Sequence, residues 1–376
     1  MEVDWLIVGA GFTGSVLAER LATQLNQKVL VVEQRAHIGG NAYDYYDDHG
    51  VLVHRYGPHI FHTNADYVWD YLAQFTPWRS YYHRVLAAID GQFIPVPFNL
   101  KGLYALFPPR YADELAQQLI QQYGFDVKIP ILKIRETAHS DEVKFLAEFI
   151  YQKIFHHYTV KQWGLTPEQL QPSVTARVPL YISYDDRYFQ DKFQGLPQYG
   201  YSRLFEQLLA QRNIKLLLNT AYQEIAQEIK YKQMIFTGPI DEFFNYQYDE
   251  LPYRSLDFHH FHTQQPQLQP VATVNYPNDY AYTRITEFKH LTGQNIAGSS
   301  YIKEYPQAFV RGQNVAYYPI PQDQCRARYH QYAQEVEKLK GKVLFAGRLA
   351  DYQYYNMDQA VARALTVFHK VICAQS

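Results

Sequence analysis

The segment Asp4-Trp5-Leu6-Ile7-Val8 is a short apolar run of the kind that forms a fully buried parallel strand. A glycine-rich turn, Gly9 to Gly14, follows it directly, then a helical pattern from Ser15 to Leu25 and a second apolar strand, Val29–Val32. Beyond this opening the texture changes. Apolar residues recur at helical spacing over Asp66–Phe75, Pro109–Tyr123 and Ser140–His157, and Pro95, Pro97, Pro108 and Pro109 punctuate the connections, so a mostly helical insertion is predicted. Ser183–Tyr201 has no clean period, and Tyr201–Arg212 reads as another helix. Lys215–Asn219 and Gln233–Thr237 look like strands, the second stopped by Gly238-Pro239. Short β-rich runs between Tyr253 and Tyr318, such as Val271–Tyr276, predict an antiparallel sheet. A late buried strand, Lys342–Arg348, and an amphipathic helix, Asp358–Ala374, return the chain to its first unit.

Strand, glycine turn, helix, strand and acid, in that order, predict a dinucleotide site. Gly9 permits the tight turn, Gly11 lets the backbone approach a pyrophosphate, and Gly14 lets helix and strand pack closely. Phe12 and Thr13 open the helix whose N-terminus offers N–H groups to the anion. Glu33, ending the second strand, is placed to accept the hydroxyls of an adenosine ribose and would repel an extra phosphate there.

Composition narrows the partners. A chain of 376 residues fills two or three structural units, and a net charge of -2 gives no general attraction to nucleic acid or an anionic membrane. Two cysteines, Cys325 and Cys373, make neither a disulfide framework nor a zinc site, and no metal is expected. No apolar stretch is long enough to span a bilayer, and Glu2 and Asp4 argue against a signal peptide, so a cytoplasmic protein is expected. The 35 tyrosines stand out, because each offers a stacking face and a hydroxyl for sugars, bases and phosphates.

The stretch after Glu33, Gln34 to Asn41 with its Gly39-Gly40 pair, resembles the second glycine motif of flavoproteins typified by amine oxidases, which implies FAD as the cofactor. Further along, the chain resembles the bacterial UDP-galactopyranose mutases. The likeness covers nearly its whole length. It rests on Ile38–Tyr43, His59-Ile60-Phe61-His62-Thr63, Tyr158–Gly164, Thr237–Asp241, Tyr253–Leu256, Tyr282–Ile285, Tyr317-Tyr318-Pro319 and Gly347–Ala350. The resemblance implies an α/β fold: an FAD-binding Rossmann-like domain (residues 1–65, 203–240 and 335–376), a helical insertion (66–182) with a mobile substrate loop, and an antiparallel β-sheet substrate domain (183–202 and 241–334).

It also implies the reaction, interconversion of UDP-galactopyranose and UDP-galactofuranose without net redox, with N5 of reduced FAD attacking the anomeric carbon. An external reductant and a homo-oligomer are implied as well. Arg177, Arg284 and His62 match the catalytic set. Tyr158, Thr159 and Trp163, with Phe155 one turn back, match the uracil end. Tyr188, Tyr318 and Tyr354 match tyrosines that bind the diphosphate, and Asn99 and Asn275 match sugar contacts. Gly9, Gly11, Phe12, Thr13, Gly14, Glu33, Gln34, Gly40, Asn41, His59, Ile60, Arg254, Gly347, Arg348, Tyr355, Asn356 and Met357 fall to the flavin.

One position departs from the pattern. Where many bacterial members carry Asp, this chain has Asn356, which keeps the shape and loses the charge. Asp185-Asp186 reads as a solvated turn rather than a glycosidase pair, since adjacent strand residues face opposite ways. Two other classes stay open on the residues: an FAD-dependent oxidase of the same fold, and a non-catalytic binding protein resembling the GDP-dissociation inhibitors.

Overall fold

The computed structural model describes residues 2–170, 179–320 and 322–374. Its centre is a parallel five-stranded sheet in the order Ile214–Leu217, Val29–Val32, Glu2–Val8, Lys230–Phe236, Val343–Phe345. Glu2–Val8 is β1 and Val29–Val32 is β2. Successive residues of β1 serve opposite faces. Trp5 and Ile7 pack on the side covered by helix α1 (Phe12–Gln24) and by the helices Tyr201–Leu209 and Met357–Val367. Leu6 packs on the other side with Leu30, Val32, Met234 and Phe236. Burial on both faces is why these strands read as unbroken apolar runs.

The glycine turn does what its spacing predicts. Gly9 has φ +103, in the region that favours glycine. A Cβ on Gly14 would lie 2.0 Å from the Gly9 carbonyl oxygen and 3.3 Å from Ile7, so only glycine lets α1 sit this close to β1.

The second sheet has seven strands, in the order Tyr318–Pro319, Tyr253–Thr263, Ser299–Ala308, Arg284–Glu287, Thr273–Asn275, Val85–Ile89, Gln92–Val96. The mostly helical region 66–182 also contributes strands to it, the hairpin Val85–Val96. Its turn is Asp90-Gly91, both at positive φ, the twist-matched two-residue turn that Asp-Gly favours. Against expectation, the sheet is not purely antiparallel, since Thr273–Asn275 runs parallel to Val85–Ala87.

The rest of the insertion is helical. Leu103, Leu115, Leu119, Ile134, Leu146 and Ile150 form its core. Asn99 and Ser140 cap two of its helices by accepting from Gly102 and Val143 N–H. One element runs from Asp141 to Trp163 and contains a π turn at Tyr151–His156. The helix Tyr201–Leu209 is anchored at its start by Asp44, whose carboxylate accepts from the Tyr201 and Ser202 N–H groups at 2.6 and 2.7 Å.

Gly14→Ala should cost about 1–3 kcal/mol through overpacking between α1 and β1. A urea midpoint equal to that of the parent protein would contradict this packing.

Candidate active site

A cleft opens at the carboxyl ends of the parallel strands, where open α/β sheets bind ligands. Gly9, Gly11, Phe12, Thr13, Gly14, Glu33, Gln34, Gly40, Asn41, His59, Gly347, Arg348 and Met357, all expected from the sequence, line it. Gly11 and Gly40 face each other across its floor, where a Cβ on Gly40 would come within 3.1 Å of Gly11 Cα. A Cβ on Gly11 would meet protein only at 3.8 Å and would otherwise project into the space a phosphate needs. The N-terminus of α1 begins at this point, with Gly11 as its cap. Glu33 is buried, and its carboxylate accepts from Ala10 N–H at 3.0 Å and Arg35 N–H at 2.9 Å, which fixes it and leaves lone pairs for ligand hydroxyls. Arg35 in turn donates to Asn41 Oδ1 and lies over the Tyr56 ring. These residues fit a dinucleotide.

Toward the far end of the cleft, His59 donates from Nδ1 to the Gly57 carbonyl at 2.9 Å, which leaves Nε2 as the acceptor. Burial, with Arg348 and Arg284 nearby, pushes its pKa down to about 4. His54 accepts from the His59 backbone N–H, and burial lowers it to about 3. Arg348 donates to the Tyr355 carbonyl at 2.6 Å, and its guanidinium lies 5.8 and 5.9 Å from the Tyr318 and Tyr354 ring centres. Arg348 therefore joins the cleft to a second, aromatic pocket.

That pocket is centred on Arg284. Arg284 and Glu304 are directly opposite each other on neighbouring strands and form an ion pair at 2.6 Å, the acid fully buried. Burial alone would weaken the Arg284 charge, but Glu304 and Tyr158 offset it and raise its pKa. Burial raises the phenols of Tyr158 and Tyr318, and Arg284 works against both shifts. Trp163 meets Tyr354 edge-on at 5.7 Å and Tyr318 at 6.2 Å. Asn275 is the cross-strand partner of Arg284 on its other side. His62 bonds to Asp191 at 3.0 Å and stacks on Phe189 at 3.7 Å, and Tyr188 meets the same Phe189 edge-on. The His62 bond holds the Asp191 carboxyl below its usual range.

Other expected residues have different surroundings. Phe155 lies in the π turn and is buried in the core of the helical insertion, against which Tyr188 also packs. Asn99 is buried as a helix cap, and its amide also donates to the Asp185 carbonyl. The Arg254 guanidinium donates to the Lys161 and Gln162 carbonyls, holding the end of the helix that carries Trp163. Thr159 and Ile60 are buried. Asn356 precedes the helix Met357–Val367, its N–H donating to Gln359 Oε1. Burial pushes Tyr355 up to about 12. Asp185 pairs with Arg187, and Asp186 with Lys101 and Arg84, and both carboxylates are only partly exposed, more enclosed than the solvated turn expected. Arg177 lies outside the described residues.

A family model described as UDP-galactopyranose mutase matches residues 153–354, which carry Tyr158, Trp163, Arg284, Glu304 and Tyr318. A protein of Klebsiella pneumoniae named probable UDP-galactopyranose mutase is 39% identical over 96% of this chain and 92% of its own length. The chain belongs to the UDP-galactopyranose mutase family. Members of this family are isomerases. The family also has a relative in Escherichia coli named dTDP-fucopyranose mutase, 34% identical over 96% of each chain. A crystal structure of reduced UDP-galactopyranose mutase superposes with TM-score 0.72 at 16% identity, covering 100% of this chain and 95% of the other. Putrescine oxidase superposes at 0.58 with 12% identity, covering 99% of each chain. An NAD(P)-binding Rossmann-like model matches residues 7–75. Family membership and the Rossmann-like match together give this chain a dinucleotide-binding fold around the cleft.

Sequence reading missed several residues of the site. Thr237, Gly238 and Pro239 line the cleft because Lys230–Phe236 is the immediate neighbour of β1 and ends on the same edge. Thr220, Tyr222 and Gln223 reach it from the connection before that strand. Glu304 lies twenty residues from Arg284, and only the strand register reveals the pair. Buried His83, 3.2 Å from the Tyr81 hydroxyl and edge-on to Tyr188, gave no local signal.

Among the described residues no helix is long and apolar enough to cross a membrane, and no group of three His, Cys, Asp or Glu is placed to hold a metal ion.

Glu304→Ala should leave the partly exposed Arg284 guanidinium without its buried partner, costing about 1–3 kcal/mol in urea unfolding. An unchanged midpoint would count against the pair's role. His54, His59 and His83 have native pKa values of about 3, 4 and 3 against an ordinary 6.5. The unfolded chain thus binds more protons below pH 6.5, and stability should fall as pH drops from there toward 4. Urea midpoints measured across that range check the sign; a midpoint that rises on acidification would contradict it.

Proposed function

We propose that this protein interconverts UDP-galactopyranose and UDP-galactofuranose, with FAD in the glycine-lined cleft and active when reduced. The observation that carries the reading is the junction at Arg348, where a dinucleotide cleft meets an aromatic pocket holding one strongly charged guanidinium, Arg284. The family relatives named for this sugar nucleotide support it.

Gly11, Gly40 and the N-terminus of α1 would hold the cofactor's pyrophosphate, and Glu33 its adenosine ribose. When bound and reduced, the flavin supplies the nucleophile that displaces UDP from the anomeric carbon. Trp163 and Tyr158 would stack on or border the uracil, and Tyr188, Tyr318 and Tyr354 would donate hydroxyl hydrogens to the diphosphate. Negative charge grows on that diphosphate as it departs, so a fixed cation beside it stabilises the transition state more than the ground state. Arg284 would fill that role, oriented by the buried Glu304 carboxylate. Arg177 is the second expected cation. His59, neutral with Nε2 as acceptor, can hydrogen-bond a sugar hydroxyl without adding positive charge of its own.

Purified protein should be yellow, and dithionite-reduced protein should convert UDP-galactofuranose to UDP-galactopyranose while the oxidised form is nearly silent. Arg284→Ala should lower turnover by about 10²-fold or more, the usual loss for a preorganised transition-state donor. Peroxide formation with equal activity in both redox states would favour an oxidase, and colourless protein a binding function. Comparing kcat/KM for UDP-galactofuranose and for the furanose form of dTDP-fucose decides between the substrates named for the two relatives; a preference for the dTDP-sugar would overturn the UDP-galactose assignment.

A further inference from the structure

The Tyr158–Trp163 helix and the Arg284 hairpin come from distant parts of the chain, yet both must face one ligand. One side chain makes four hydrogen bonds across the gap between them. Lys161, on the helix between Tyr158 and Trp163, reaches into the loop that joins Thr273–Asn275 to Arg284–Glu287. Its Nζ donates to the backbone carbonyls of Tyr276, Tyr280, Asn278 and Tyr282, at 2.5, 2.9, 3.4 and 3.3 Å. An ammonium has three N–H donors, so four carbonyls around it make a cage that no neutral side chain of the same length reproduces.

The same joint has two lesser ties. His157 bonds to Asn278 Oδ1 at 2.9 Å, and the Asn278 amide donates to the Lys153 carbonyl at 3.1 Å. Tyr276, Tyr280 and Tyr282 pack ring to ring at 4.9 to 5.4 Å, making the loop a compact unit that the ammonium can hold as one piece. Behind Lys161, Arg254 binds the Lys161 and Gln162 carbonyls, so the helix end itself is held in place.

We propose that Lys161 is a positioning residue: its ammonium, seated in four backbone carbonyls, fixes the Arg284 hairpin against the helix that carries Tyr158 and Trp163. It touches neither sugar nor cofactor. It sets the distance between the cation for the diphosphate and the rings for the base. This rests on the UDP-sugar reading above and assigns a function to a residue that reading leaves unused.

The test uses the flavin-loaded protein. Lys161→Met keeps the stem and removes the ammonium. UDP affinity should weaken about 10-fold, as expected when a binding group is misplaced by a fraction of an ångström to one ångström. Flavin absorbance should stay at the parent level, and backbone amides of 276–284 should exchange faster while those of β1 and α1 do not. In Lys161→Ala, whose short side chain leaves room for a guest stem, propylammonium chloride compared with sodium chloride at equal ionic strength should restore most of the lost affinity, because its ammonium reaches the same four carbonyls. UDP affinity within twofold of the parent, or a loss in Lys161→Ala that propylammonium leaves untouched, overturns the proposal. If Lys161→Met does not fold, Lys161→Gln, which retains two N–H donors, faces the same comparisons. Failure of the parent protein to bind UDP at all would instead sink the UDP-sugar reading, so the two failures are distinguishable.

Discussion

The architecture depends on a contact with no side chain in it. At the crossing of β1 and α1, Gly14 lies against the Gly9 carbonyl so closely that a Cβ would have to occupy the oxygen's place. That approach sets the start of α1 above the end of β1. The Gly39-Gly40 turn then docks against Gly11 through the Gly39 N–H to Ala10 carbonyl bond at 2.9 Å. Every other wall of the cleft takes its position from this floor. The remaining parallel strands extend the edge, and Gly347 comes in at φ +117 against Thr13.

The charges follow a different principle. Arg348 and Arg284 border adjoining spaces, and the imidazoles nearby stay neutral because burial and those two cations both disfavour a further positive charge. The site therefore offers positive charge at fixed guanidinium groups, while buried His59 and His83 serve as uncharged hydrogen-bonding groups. Such a division suits chemistry in which an anion forms on departure while hydroxyls nearby need acceptors.

Much of this was legible in the chain. The parallel strands, α1 and the glycine turn announce themselves because local pattern and global role agree. The helix Pro109–Tyr123 is likewise found where its period puts it. The Val85–Val96 hairpin carried its own Asp90-Gly91 signal, but the surrounding prolines and helical periods favoured a helical reading of the region. The π turn at Tyr151–His156 was likewise unreadable, because it changes the residue spacing of a helix without any mark in composition. Glu304, Thr220 and His83 were invisible for a third reason. Their proximity to the site comes from strand register and chain return, which are non-local.

The order of strands in the parallel sheet has a consequence for how the chain is made. Its members come from residues 2–8, 29–32, 214–217, 230–236 and 343–345, with the earliest in sequence at the centre of the sheet. A ribosome releases the central strand before the other four and the edge strand Val343–Phe345 after them, so the sheet is still incomplete between the emergence of Lys230–Phe236 and that of Val343–Phe345. During that interval the Lys230–Phe236 edge is open, a row of unpaired backbone groups of the kind that invites pairing with a neighbouring chain. Completion of the cleft therefore coincides with closure of the fold. A chain cut short before its final strand lacks both the last wall of the ligand site and the cover for its most adhesive edge.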